Sequence, residues 1–131
     1  MTLPNRKSRK RLGADGEAVA KSHLERLGWT ILTTNFRSAQ GEIDLIAEEA
    51  TSEGPVLIFA EVKTRQGTTH GTPIEAVDER KQRKVFATAQ AYLSQRGAEG
   101  EEPACRFDII EVFADHDGLM RVVVHPGAFG L

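Results

Sequence analysis

A single cysteine, Cys105, in 131 residues leaves no partner for an internal disulfide and too few thiolates for a cysteine-based zinc site. It is expected to be a small apolar core residue. Long hydrophobic runs are missing as well, since no stretch approaches the roughly 18 apolar residues that cross a bilayer. The polar, basic N-terminus has no apolar segment of the secretory kind. A soluble, cytoplasmic protein without a membrane partner is the expectation. Repeats and low-complexity tracts are absent too, and the length suits one ordinary domain that can bury a core without staples.

Neither sign of charge is in large excess, but the placement is uneven. Arg6, Lys7, Arg9, Lys10 and Arg11 put five positive charges into the first eleven residues, so against a net charge of −2 the remainder carries −7. Residues 1–12 are expected to be a basic, flexible arm, followed by a single domain over 13–131. Such arms are commonly solvating tails. They also bind nucleic acid by displacing counterions from phosphates, and Arg9, Lys10 and Arg11 are the candidate contacts.

Ala14 to Leu27 reads as a helix stopped by Gly28, with Glu17, Ala20, Leu24 and Leu27 on one stripe. A first-turn acid is an ordinary reading of Glu17; its place on an apolar stripe also turns it toward the core. Trp29 to Asn35 alternates like a strand, and Ser38 to Gly41 turns the chain into a second strand, Glu42 to about Glu48. Val56 to Arg65 is a third. Thr72, Pro73 and Glu75 form the pattern of a capped helix start, with a helix running to about Gln95. Its apolar face holds Val77, Val85, Ala89 and Tyr92. Lys81 shares that face, where a lysine ordinarily reaches out to water or else contacts a phosphate. Arg80, Arg83 and Lys84 are placed on the solvated side. Cys105 to Phe113 and Leu119 to His125 are two further strands. The order is helix, three strands, helix, two strands, which suits an α/β fold with a central mixed five-stranded sheet flanked by helices.

Two strand segments, GEIDLIA at Gly41 to Ala47 and FAEVKT at Phe59 to Thr64, carry charge where a core strand should not. Burying an unpaired carboxylate costs several kcal/mol, so Asp44, Glu61 and Lys63 need a reason to be there. If the intervening turn centres on Ser52 and Glu53, the hairpin sets Asp44 opposite Glu61, Ile46 opposite Phe59 and Glu42 opposite Lys63. Two facing carboxylates can hold one hard cation, Mg²⁺ or Mn²⁺. Lys63, two residues from Glu61, points to the same side and can serve a water or a phosphate beside the metal. Glu17 could hold an outer water. A plain cross-strand ion-pair network, with Lys63 between Glu42 and Glu61, would use the same residues without chemistry.

These motifs, GEIDLIA, FAEVKTR and TPIEAV, with an earlier G-x-x-G-E helix and a late RFDIIEV strand, resemble the YraN-like family, uncharacterised protein family 0102. That family is similar to the restriction-endonuclease-like PD-(D/E)xK nucleases, near the archaeal Holliday junction resolvases. The resemblance covers nearly the whole chain after the basic arm. It implies a metal site at Asp44 and Glu61, a catalytic lysine at Lys63 and an accessory acid at Glu17. Ile43 stands where a proline often precedes the first aspartate. The expected activity is metal-dependent endonucleolytic cleavage of DNA, branched or damaged DNA included, with Arg65 and Lys81 as further nucleic-acid contacts. Cutting junctions would favour a symmetric homodimer. The competing readings are a non-catalytic nucleic-acid-binding or DNA-processing module of the same fold, and a protein-interaction domain. Of the histidines, His70 is expected in a surface loop, and His23, His116 and His125 show no ligand spacing.

Overall fold

Val56 to Ala60 and Ile109 to Ala114 are apolar with hardly a break, the signature of strands covered on both faces. In the computed structural model they lie at the centre of a sheet with one helix on each side. The structure describes residues 6–66, 77–97, 103–115, 117–118 and 120–130, with side chains from Asp15 onward. Its elements are α1 (Arg6–Arg26), β1 (Thr30–Ser38), β2 (Gly41–Thr51), β3 (Gly54–Gln66), α2 (Glu79–Arg96), β4 (Ala104–Ala114) and β5 (Met120–Phe129). The strands lie side by side in sequence order. All neighbours are antiparallel except β3 and β4, which are parallel and joined through α2. This is the α/β, α-β-β-β-α-β-β architecture that the resemblance implies.

Helix α1 starts at Arg6, not at Ala14. Its added turns are mostly Arg and Lys, good helix formers, against Ser8 and Gly13. Arg9, Lys10 and Arg11 therefore fall within α1, although their side chains lie outside the described residues. The helix ends as the sequence suggests. Gly28 has φ of 92°, and the amides of Gly28 and Trp29 bond back to Glu25 and Leu24. Ala20 and Leu24 are fully buried against Leu45, Ala47, Ile58, Ala60 and Ile110. Leu27 lies past the last helical residue and leaves the stripe, 57% exposed.

Helix α2 also departs from expectation. It begins at Glu79, because Asp78 is extended and accepts the Lys81 amide at 2.8 Å as N-cap. The start expected at Thr72 to Glu75 lies outside the described residues, as do His70 and His116. Val85 and Ala89 pack on Ile43, Ile46, Phe59 and Ile109, so α1 and α2 cover opposite faces. Tyr92 meets Phe36 and Phe59 edge-on, with ring centroids 5.3 and 6.0 Å away.

The hairpin of β2 and β3 runs in the expected register, from Thr51 opposite Gly54 to Leu45 opposite Ala60. Its tip is tied by Thr51 Oγ1, which donates to the Gly54 carbonyl at 2.6 Å and accepts the Glu53 amide at 3.2 Å. On the other side of the sheet the carboxylate of Asp108, fully buried, takes two bonds from Arg106 and one from the Gly127 amide. Arg106 also reaches Glu49 at 3.0 Å and lies 5.6 Å from the centroid of the Trp29 ring. Cys105 is exposed, not core: the first two residues of β4 are both exposed and burial begins further along the strand. Among the described residues no helix is long and apolar enough to cross a membrane.

One contact fixes how close α1 comes to the sheet. A Cβ at Gly16 would overlap the Thr64 hydroxyl on β3. Alanine normally favours a helix by about 1 kcal/mol over glycine, but overpacking costs about 1–3 kcal/mol. Gly16→Ala should therefore lower the urea midpoint of unfolding, and Gly16→Ala combined with Thr64→Ala, which removes the clashing oxygen, should recover part of the loss.

Candidate functional site

The regular ladder between β2 and β3 stops at Leu45 and Ala60, one step before Asp44 and Glu61. At that step a side chain replaces the backbone partner: Asp44 Oδ2 accepts the Val62 amide at 2.8 Å. The alternation of β2 also breaks there. Leu45 and Ala47 enter the core under α1, whereas both Ile46 and Ile43 enter the core under α2. Across on β1, Asn35 takes a left-handed conformation with φ of 53°, between the regular pairs Thr34 with Leu45 and Phe36 with Ile43. Asparagine tolerates that conformation better than most residues. The irregular row thus carries Asn35, Asp44 and Glu61 side by side.

Glu61 is 3% exposed, and its Oε1 has no hydrogen-bond partner among the described residues. Burial, and then the neighbouring charge of Asp44, push its pKa from 4.5 to about 8. The contact between the Glu61 and Asp44 side chains raises it further, and Lys81 offsets part of the cost. Glu17 also titrates high, first through burial and then through Asp44, while a side-chain hydrogen bond with Asn35 opposes the rise. Asp44 therefore couples an acid from α1 to an acid from β3. Sequence analysis placed these three together, and the structure brings them together around Asp44.

The lysine partners differ from expectation. Lys63 lies on the same strand face as Glu61 but makes no ion pair with another described residue. Glu42, its expected partner, pairs with Arg37 at 3.5 Å, and Glu61 pairs with Lys81 Nζ at 3.3 Å. The cross-strand network with Lys63 at its centre does not form, because α2 brings Lys81 onto the strand face instead. Arg65 Nε binds Glu111 Oε2 at 2.7 Å, and Glu111 Oε1 lies 2.7 Å from His125 Nε2. Glu111 and His125 were not anticipated. The RFDIIEV segment held the signal, an acid within an apolar central strand.

An open cleft of about 540 Å³ lies over the irregular row. Asp44 and Glu61 form its floor, Glu42 and Asp78 stand at its acidic rim, and Arg80, Lys81 and Lys84 of α2 form one wall. Arg80 and Lys84 were placed on the solvated side of the helix. They reach the cleft because α2 begins at Glu79, capped by Asp78, and its first turns border the site. Among the described residues no three carboxylate, histidine or cysteine groups close on one point. The donor set is the pair Asp44 and Glu61, two hard oxygen donors suited to Mg²⁺ or Mn²⁺, with room for water. An orphaned buried oxygen beside a second carboxylate fits a cation, which would supply the countercharge that burial withholds.

A family model described as Uncharacterised protein family UPF0102 matches residues 16–112, a span that holds Glu17, Asp44, Glu61, Lys63 and Lys81. A UPF0102 protein of Symbiobacterium thermophilum is 44% identical over 120 residues, covering 92% of this chain and 97% of its own. One from Moorella thermoacetica is 41% identical over 123 residues, covering 93% and 98%. Another, from Chlorobium chlorochromatii, is 45% identical over 101 residues, covering 77% and 73%.

The raised Glu61 pKa makes a stability prediction with a definite sign. Folding favours the protonated acid, so its contribution is fully present below pH 4.5 and is lost as pH rises toward 8. Glutamine does not titrate. Without divalent cations, Glu61→Gln should gain stability over wild type between pH 5 and pH 8, by on the order of a few kcal/mol. Urea unfolding at a series of pH values checks this, and a difference independent of pH would contradict it.

Proposed function

Because the chain belongs to the uncharacterised protein family UPF0102, whose name assigns no activity, we propose from the geometry of the cleft that it is a metal-dependent nuclease acting on DNA. The observation that carries this reading is the buried, unpartnered Glu61 Oε1 beside Asp44 on the floor of an open cleft with a basic wall. Phosphodiester hydrolysis needs an activated water, relief of charge on the phosphate and stabilisation of the leaving oxygen. A bound Mg²⁺ or Mn²⁺ would supply a more acidic water and a positive centre beside the phosphate.

The residues of the chain have separate tasks in this scheme. Asp44 and Glu61 would hold the cation; the Val62 amide fixes the orientation of Asp44, and burial fixes that of Glu61. Lys63, on the same face and without a described ion-pair partner, presents its ammonium to the phosphate or to the attacking water. Glu17 adds negative charge near Asp44 and can hold an outer-shell water. Arg80, Lys81 and Lys84 contact flanking phosphates from the wall of the cleft. Arg65, held by Glu111, extends the positive surface along β3. Arg9, Lys10 and Arg11 on α1 provide further backbone contacts. Cleavage of two strands of a branched substrate would require two copies of this single site, hence a homodimer.

A second reading keeps the binding and drops the turnover: a DNA-processing accessory module with the same fold. The basic wall of the cleft favours it as much as it favours the nuclease. The two separate in a cleavage panel of linear, nicked, flapped and four-way junction DNA with Mg²⁺ or Mn²⁺. The nuclease reading expects cutting that Asp44→Asn, Glu61→Gln and Lys63→Ala each reduce by about 100-fold or more while the circular dichroism spectrum is kept. Wild-type-like cutting by any of the three variants overturns the assignment. Salt-sensitive binding with no cutting under any metal establishes the accessory module instead.

A further inference from the structure

Lys81 stands where a cation is needed. Its Nζ is 3.3 Å from Oε2 of Glu61, a buried acid that lies next to Asp44. That ion pair is poorly matched. One ammonium carries a single charge against two carboxyl groups, and it leaves Glu61 Oε1 without a partner. A tight charge-assisted N–H···O bond is about 2.7–2.9 Å long, well short of the distance here.

The two partners also differ in freedom. The Glu61 side chain is 4% exposed and cannot leave the floor, whereas that of Lys81 is 40% exposed. The backbone of Lys81 is held, because its amide donates to the capping carboxylate of Asp78 at 2.8 Å. A flexible four-carbon stem is thus anchored at the rim with its charged end over the acidic pair. Arg80 and Lys84 line the same wall.

We propose that Lys81 is the resident counter-ion of the Asp44 and Glu61 pair, displaced by a divalent cation, and that the released ammonium then joins Arg80 and Lys84 as a phosphate contact. This rests on the metal-site reading above. Exchange keeps a positive counter-ion beside the pair in both states. It also ties the availability of one phosphate contact to occupation of the metal site, so backbone binding and metal binding become linked.

The test uses the full chain at low salt. Mn²⁺ affinity is measured by calorimetry for wild type, Lys81→Met, Lys84→Met and Asp44→Asn. In parallel, wild type is acetylated with an amine-reactive ester with and without Mg²⁺, and the rate at each lysine is read by mass spectrometry. Removing the resident cation should tighten Mn²⁺ binding about tenfold, whereas removing a wall charge that only repels at a distance should change it less than about threefold. Mg²⁺ should speed acetylation of Lys81 severalfold relative to Lys84. If Asp44→Asn abolishes Mn²⁺ binding but Lys81→Met behaves like Lys84→Met, or Mg²⁺ leaves the Lys81 rate unchanged, the exchange is wrong and the metal site stands. If wild type does not bind Mn²⁺, or Asp44→Asn binds it as well as wild type, both fail. Should Lys81→Met not fold, the acetylation of wild type alone decides.

Discussion

The bond from the Val62 amide to the Asp44 carboxylate is where this structure departs from a plain sheet. A strand that ended its ladder at Leu45 and Ala60 would leave the Val62 amide of β3 without its partner on β2. Asp44 takes that amide with its side chain. The bond draws the carboxylate against β3, within reach of Glu61, and brings two acids into surroundings where neither ionises freely. Burial raises the pKa of Glu61 first and that closeness adds to it, and the coupling to Glu17 also runs through Asp44.

The wall of the cleft depends on how α2 is seated. Val85 and Ala89 fix the helix on Ile43, Ile46 and Ile109, and Tyr92 wedges between Phe36 and Phe59 further along. Thr88 is fully buried and satisfies its hydroxyl on the Lys84 carbonyl at 2.7 Å, so α2 can lie close over the start of β2 without an orphaned polar group. There a Cβ at Gly41 would come within 3.2 Å of the Thr88 hydroxyl. The closeness that packs the helix also delivers Lys81 and Lys84 to the acids. Packing and charge are set by one placement.

Much of this was legible in the residues. The two-residue turn at Ser52 and Glu53 fixes the hairpin register as far as Leu45 and Ala60, and the Asp44 bond to the Val62 amide carries the acid the last step toward Glu61. The apolar runs around Phe59 and Ile110 announce strands buried on both faces. What failed depends on long-range seating. Which lysine meets Glu61 is decided by where α2 lies, and that in turn by whether Thr72 or Asp78 caps a helix; both are acceptable caps, and local pattern does not rank them. Cys105 and Leu27 were read as core from composition and periodicity. Each stands at the end of its element, where periodicity continues but cover does not.

The left-handed Asn35 lies on β1, and β1 is an edge of the sheet. A flat edge strand offers its free amides and carbonyls to any other extended chain and invites strand addition. A residue with positive φ in mid-strand breaks that row, so a second chain could match only part of β1. The distortion that shapes the irregular row from within would then also keep copies of the molecule from joining edge to edge.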